Sequence, residues 1–348
     1  MGEFEEDWGD APDGPRTSLL EASQRYDCFG QTPLEQRVDI HTITYADVFK
    51  AERDKWVQGA AEIEAVAADY EWISDEAKEA VLGWLEGAGD DKAFFWTHAA
   101  DVVMYRLIPE YRNAVRIKVI KDLGQKIRAT REAEHVARCS ILAHSMGTAV
   151  AHDCMHLLVS REWGGATNAL GPEHWAFESV FMVSNTSRLL EVMEDKVPHP
   201  YESLVRPAGA GLEKSSCDVY WNFHHILDGV TWPCAFRPAD WGDNYHDVSV
   251  SHFHRYDVHG LGHYLKNPKV HAPILRLSGE DVFGGEQEAA AIEGDSFPQF
   301  DDEFAEVAKY LDLKTKIEQF RDAQPAEPTL KQWIDGLVGF FKLIGGYV

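Results

Sequence analysis

Long hydrophobic runs and targeting signals are missing from this sequence. It has no stretch of about 18 apolar residues, the length that a helix needs to cross a bilayer, so it offers no candidate for a spanning segment. Its first residues, Met-Gly-Glu-Phe-Glu-Glu-Asp, lack the charged and then apolar pattern of a secretory signal peptide. We therefore expect a cytoplasmic protein.

Cysteine is scarce, and the few cysteines are widely spaced. There are five, and no two of them form a C-x-x-C pair: Cys28, Cys139, Cys154, Cys217 and Cys234. This spacing argues against a zinc ribbon and against a redox-active pair. Reduced cysteines in a cytoplasmic protein are the simplest interpretation.

Positive charge is also in short supply. Lys and Arg number 33 against 58 Asp and Glu, which gives a formal net charge of -25. Nucleic-acid binding needs Lys and Arg facing phosphates, and docking on anionic membranes needs the same charge, so both are disfavoured. The 348 residues, 45% of them hydrophobic, are enough for a sizeable core, and we expect a single domain over residues 1–348.

The most informative segment is residues 139–151, Cys-Ser-Ile-Leu-Ala-His-Ser-Met-Gly-Thr-Ala-Val-Ala. A short apolar run ends in Ser145, and a helix-compatible run follows it. This is the layout of a nucleophile elbow, usually G-x-S-x-G, with Ala143 here in the first glycine position and Gly147 in the second. A bare S-x-G also arises by chance, but the flanking strand and helix patterns favour a nucleophilic serine.

A serine nucleophile needs a histidine to take its proton and a carboxylate to orient that histidine. In chains with this elbow, the acid and then the histidine follow the serine, each after a strand. Asp228 follows the apolar run at 218–223 and is the predicted acid, although an Asp-Gly turn is also a common solvated feature. His263, in Gly-His-Tyr after the run at 248–258, is the predicted base, with His259 as second choice because only geometry can decide.

Three segments together, Ala-His-Ser-Met-Gly, Asp-Gly-Val and Gly-His-Tyr, resemble the α/β-hydrolase superfamily, of the serine lipase or esterase type. The resemblance covers most of residues 37–280. It implies an α/β fold with a mostly parallel central sheet flanked by helices, a covalent acyl-enzyme, and no cofactor or metal. Before the elbow, residues 49–95 carry a helical pattern that we interpret as an insertion or cap.

The sequence differs from that family pattern at the oxyanion hole. One donor should be the N–H of Met146, the residue after the nucleophile. The second usually comes from a loop after an early strand that ends in His-Gly, and no such strand precedes Met1-Gly2. One hypothesis is that the sequence begins late, within an H-G-x-G segment; a cloning-derived Met-Gly is the alternative.

Other elements can be read from the pattern in outline. Alternating apolar residues predict a strand over 38–48, and buried-type runs predict strands over 177–184, 218–223 and 248–258. The C-terminal region, residues 300–348, is predicted to be helical with an apolar end. That end either packs on the core or contacts a membrane surface or a second copy of the chain.

Sixteen histidines raise the question of a metal. His252 and His254 share one face of a predicted strand, and His224 and His225 lie near Asp228. None of these spacings matches a recognised ligand set, and the predicted triad already uses the region. We expect no metal.

The sequence thus predicts a serine hydrolase that cleaves carboxylic esters, with a small-molecule ester or a lipid-like ester as substrate. A thioesterase, acyltransferase or amidase could use the same triad. An inactive hydrolase-fold protein that acts by binding is the alternative from a different class.

Overall fold

A computed structural model describes most of the chain around the predicted elbow. It describes residues 8–12, 14–48, 105, 109–133, 138–160, 177–188, 203–209, 215–232, 235–252, 258–279, 281–293 and 307–324, and five single residues beyond, at 332, 336, 339, 340 and 343. The predicted insertion at 49–95 lies outside these residues, as does most of the apolar C-terminal end.

Among the described residues, four parallel strands form one sheet. They are β1 (Ile141–His144), β2 (Phe177–Val183), β3 (Cys217–His225) and β4 (Tyr245–Val250), in spatial order β1-β2-β3-β4. β2 is buried along nearly its whole length, as expected for a parallel strand covered on both faces. Because all four strands run in the same direction, their C-terminal ends lie along one edge.

Helices flank this sheet. In chain order they are α1 (Pro15–Ser23), α2 (Pro109–Ala133), α3 (Met146–Ser160), α4 (Leu261–Leu265), α5 (Pro268–Leu275), α6 (Gly285–Glu293) and α7 (Val307–Asp322). Short 3-10 turns cover Trp8–Asp10, Asp27–Phe29, Leu34–Gln36 and Arg276–Ser278. Among these residues no helix combines the length and the apolar character that crossing a bilayer requires.

Two hydrophobic cores lie against the sheet. Tyr220 of β3 packs in the core that includes residues of α2 and α3. Phe223, on the opposite face of the same strand, packs in the core that includes residues of α1, α4 and α5. Side chains whose positions in a strand differ by an odd number, as 220 and 223 do, point to opposite faces. The architecture is therefore α/β, with a small parallel sheet between helices.

The predicted strands agree with the structure in part. The runs at 177–184 and 218–223 correspond to β2 and β3. The prediction over 38–48 is wrong, because residues 38–45 have no regular secondary structure and Ala46–Val48 is helical. Their alternating apolar side chains pack instead as partly buried neighbours of the two cores. The fourth strand, β4, begins and ends earlier than the predicted 248–258.

A third cluster of buried apolar residues, which includes Phe340, contacts the loop after β3 closely at Gly229. A Cβ added at Gly229 would lie 2.5 Å from Cδ2 of Phe340, whose ring is fully buried. The loop can approach this ring so closely because the residue at position 229 is a glycine, which has no side chain.

We predict that Gly229→Ala lowers the free energy of unfolding by about 1–3 kcal/mol, because the added methyl group overpacks against Phe340. Gly285→Ala is the matched control, since nothing lies within 4 Å of a Cβ at that position. Urea unfolding of the two variants beside the wild type measures the effect. Equal midpoints for Gly229→Ala and the wild type would contradict it.

Candidate catalytic site

Ser145 lies in a sharp turn between β1 and α3. Its φ is +55°, in the left-handed region that a non-glycine residue rarely adopts. Its N–H donates to the carbonyl of Val183 at 3.0 Å, which ties the turn to the end of β2. An added Cβ at Gly147 would lie 3.6 Å from Tyr45 Oη, which is an ordinary contact.

Two threonines hold the Ser145 peptide in this conformation. The Ser145 carbonyl accepts hydrogen bonds from Thr148 Oγ1 at 2.6 Å and Thr186 Oγ1 at 2.8 Å, and from the Thr148 N–H at 2.9 Å. Both threonine side chains are buried. A left-handed non-glycine residue costs on the order of 1–3 kcal/mol and persists where its surroundings over-determine it, which these donors do.

A continuous line of hydrogen bonds joins Ser145, His259 and Asp228. Ser145 Oγ lies 2.8 Å from His259 Nε2, and His259 Nδ1 lies 3.0 Å from Asp228 Oδ2. An ionised carboxylate only accepts, so Nδ1–H donates to Asp228 and Nε2 is left to accept from the serine hydroxyl. This is the tautomer that a general base next to a serine needs.

The Asp228 carboxylate is completely buried and fully hydrogen-bonded. Besides His259, it accepts from Ser184 Oγ at 2.7 Å, Tyr264 Oη at 2.8 Å and the Val230 N–H at 3.1 Å. Burial by itself raises the pKa of a carboxyl group, but His259 and the hydroxyl donors hold the pKa of Asp228 well below its usual range. The side chain therefore remains an anion.

The structure places His259, the second-choice base, between Ser145 and Asp228, and it places His263 elsewhere. His263 lies within α4, where its Nε2 donates to the His252 carbonyl at 3.3 Å and its ring stacks on that of His252. The preference for His263 is thus corrected. β4 ends at Val250, and α4 begins at Leu261, two residues after His259.

His144 contacts the backbone of His259 and was not identified from the sequence. Its Nε2–H donates to the backbone carbonyl of His259 at 2.6 Å. Burial lowers the pKa of His144 to about 3, so the ring is neutral near pH 7. The position of His144 next to Ser145 was the only hint in the sequence, since the sequence does not show that the backbone of His259 lies beside it.

Met146, the predicted oxyanion donor, is the first residue of α3. Its N–H has no carbonyl four residues earlier inside the helix to bond, because the first N–H groups of any helix lack such partners. It is therefore available to an oxyanion beside Ser145. Residues 1–7, on which the hypothesis of a truncated His-Gly segment rests, lie outside the described residues.

Three buried histidines, His225, His252 and His263, come together behind the acid loop, with ligand atoms within 4.8 Å of one another. Hydrogen bonds already occupy both nitrogens of two of these rings. His225 donates to the His252 carbonyl and accepts from the Leu227 N–H, and His252 donates to the His263 carbonyl and accepts from Asn267 Nδ2.

The ring geometry of this cluster does not suit a metal. The rings of His252 and His263 are stacked, with centroids 4.2 Å apart and planes 14° from parallel. Imidazole lone pairs lie in the ring plane, so those of two nearly parallel stacked rings do not converge on one ion. We interpret these histidines as structural residues, whose hydrogen bonds connect β3 with the segment that carries His259.

Comparison with known proteins gave no match among protein-family models, curated proteins or solved structures.

We expect buried neutral histidines to make this protein sensitive to acid. Burial lowers the pKa of His144 and His152 to about 3 and that of His271 to about 4. In the unfolded chain these rings titrate near 6.5, so below that pH the unfolded state binds more protons. Stability must then fall as the pH falls from about 6.5 towards 4.

We predict that the free energy of unfolding drops between pH 7 and pH 5 by roughly 1 kcal/mol or more for each buried histidine. Urea unfolding at the two pH values measures the drop. His152→Gln should reduce it, whereas His41→Gln, at an exposed position, should leave it unchanged. A stability that is equal at pH 7 and pH 5 would contradict the prediction.

Proposed function

We propose that this protein is a serine hydrolase that cleaves carboxylic esters through an acyl-enzyme on Ser145. The observation that carries the proposal is the line of hydrogen bonds from Ser145 Oγ through the His259 ring to the buried Asp228 carboxylate. Nucleophile, base and orienting acid stand at hydrogen-bond distance in the order that acyl transfer requires.

The reaction follows from these contacts. Ser145 Oγ attacks the ester carbonyl carbon while His259 Nε2 takes the hydroxyl proton, and the Met146 N–H donates to the oxyanion. The tetrahedral intermediate then expels the alcohol, which receives its proton from His259. Water attacks the acyl-enzyme with His259 again as base, which releases the acid and restores Ser145.

The order of the elements supports an α/β-hydrolase fold as the finer form of this α/β architecture. Ser145 follows β1 on an elbow, Asp228 follows β3, and His259 follows β4, all at the same edge of a parallel sheet. Serine, acid and then histidine is the chain order of that fold. Because fold alone does not give function, the proposal rests on the site.

A carboxylic ester is the substrate class that demands least beyond the triad. An alcohol leaving group accepts its proton from His259 directly, and a lipid-like acyl group would suit an enzyme with this chemistry. Thioester and amide cleavage use the same three residues. The inactive, binding-only alternative does not explain why the chain keeps a strained turn at Ser145 and a hydrogen bond from Ser145 to His259.

We predict that a fluorophosphonate probe labels the folded protein on Ser145, because the probe reacts with a serine that a neighbouring base activates. Ser145→Ala should abolish labelling, and His259→Gln should slow it by about a thousandfold or more. Mass spectrometry of the labelled peptide identifies the modified residue.

The control for this labelling is Ser278→Ala, since the Ser278 hydroxyl donates to the Leu275 carbonyl within its own segment. That variant should label at the wild-type rate. Well-folded wild-type protein that takes up no probe, or an adduct that persists in Ser145→Ala, would sink the proposal and favour the binding-only alternative.

A further inference from the structure

Two side-chain hydroxyls outside the triad converge on one oxygen of its acid. Ser184 Oγ and Tyr264 Oη donate to Asp228 Oδ2 at 2.7 and 2.8 Å, and His259 Nδ1 lies 3.0 Å from the same atom. Both hydroxyl-bearing residues are completely buried. The oxygen that faces the base is therefore held from two further directions.

Tyr264 links the acid to the segment that carries the base. It lies in α4, which begins two residues after His259. Its hydroxyl accepts the N–H of His225, the last residue of β3, at 2.9 Å while it donates to Asp228. One phenol thus fixes the carboxylate relative to both β3 and α4.

Ser184 approaches the same carboxylate from β2. It directly follows that strand, with a φ of +52°, and its N–H donates to the Phe223 carbonyl at 2.9 Å. Its Oγ also lies 3.1 Å from His259 Nδ1. A left-handed serine at this point is costly, and the turn it makes directs the hydroxyl at Asp228.

We propose that Tyr264 and Ser184 are positioning residues of the triad. Their hydroxyl groups hold the Asp228 carboxylate in line with His259 and stabilise the negative charge on Oδ2 by hydrogen bonding. This inference rests on the proposed function, because it assigns them to the reaction of that same site. Neither residue touches the reacting atoms: Tyr264 acts through Asp228, and Ser184 acts through Asp228 and through its contact with His259 Nδ1.

The proposal makes a distinctive prediction about rate. A carboxylate that loses one donor can rotate away from His259 Nδ1, and the proton transfer then has a less well oriented base. Tyr264→Phe and Ser184→Ala should each lower the maximal rate of inactivation by a fluorophosphonate probe roughly tenfold. The probe concentration at half-maximal rate should change little, because neither residue binds the probe.

The pH dependence should move as well. The Asp228 carboxylate faces His259 Nδ1, so a change in the hydrogen bonds of that carboxylate changes the electrostatic field at the base. The acid limb of the rate profile should therefore shift relative to the wild type. Among the described residues, the other titratable groups that act on Asp228 or are acted on by it are Tyr264, His225 and His144.

Tyr105→Phe is the matched control. Tyr105 Oη also donates to a buried carboxylate, Asp153 Oδ2 at 2.6 Å, and its side chain is 1% exposed. Asp153 is bound by Arg116 and has no contact with the triad in the described structure. This variant removes a hydrogen bond of the same kind, so it should lose stability without a change in the rate or its pH profile.

The experiment measures inactivation rates from pH 5 to 9 for the wild type and the three variants, with circular dichroism to confirm folding. A slower rate and a shifted acid limb in Tyr264→Phe, but not in Tyr105→Phe, support the proposal. If Tyr264→Phe does not fold, Ser184→Ala decides between the same two results.

The outcomes also separate this inference from the proposed function. Wild-type protein that is never inactivated overturns both. A reactive wild type with folded Tyr264→Phe and Ser184→Ala variants that keep its rate and profile overturns the positioning role alone. Equal losses in Tyr105→Phe and Tyr264→Phe would do the same, because they would reflect general loss of stability.

Discussion

The buried Asp228 carboxylate is the group on which the whole site depends. An isolated charge in a protein interior is very costly, and it persists only where hydrogen bonds and opposite charge replace the lost water. Here the partners come from Ser184 after β2, His259 after β4 and Tyr264 in α4. Satisfying this one anion therefore draws together the loop after β3, the end of β2 and the segment from His259 to Tyr264.

The parallel sheet makes that convergence feasible. Because β1 to β4 all run in one direction, every loop that follows a strand leaves from the same edge. The Ser145 turn is strained, but hydrogen bonds to its carbonyl from Thr148 and Thr186 and from its N–H to Val183 hold it at that edge. The local cost of the turn is thus offset by hydrogen bonds from α3 and from the end of β2.

Sequence patterns predicted the parts of the site that depend on local order. The Ala-His-Ser-Met-Gly segment indicated the turn, and the loop position of Asp228 followed from the apolar run of β3. The sequence favoured His263, whereas His259 is the ring beside Ser145. Strand ends are poorly marked in a sequence: β4 ends at Val250, although the apolar run predicted a strand to residue 258. Ser184 and Tyr264 lie 44 and 36 positions from Asp228 in sequence, so no local pattern connects them with it.

The claim that His259 bridges Ser145 and Asp228 is tested most directly by proton NMR of the imidazole N–H groups. A histidine Nδ1–H bound to a buried carboxylate should give a strongly downfield signal, since a charged acceptor shortens and strengthens the hydrogen bond. We predict that His259→Gln and Asp228→Asn each remove this signal and that His263→Gln retains it. A downfield signal that survives in His259→Gln and disappears in His263→Gln would contradict the assignment of the base.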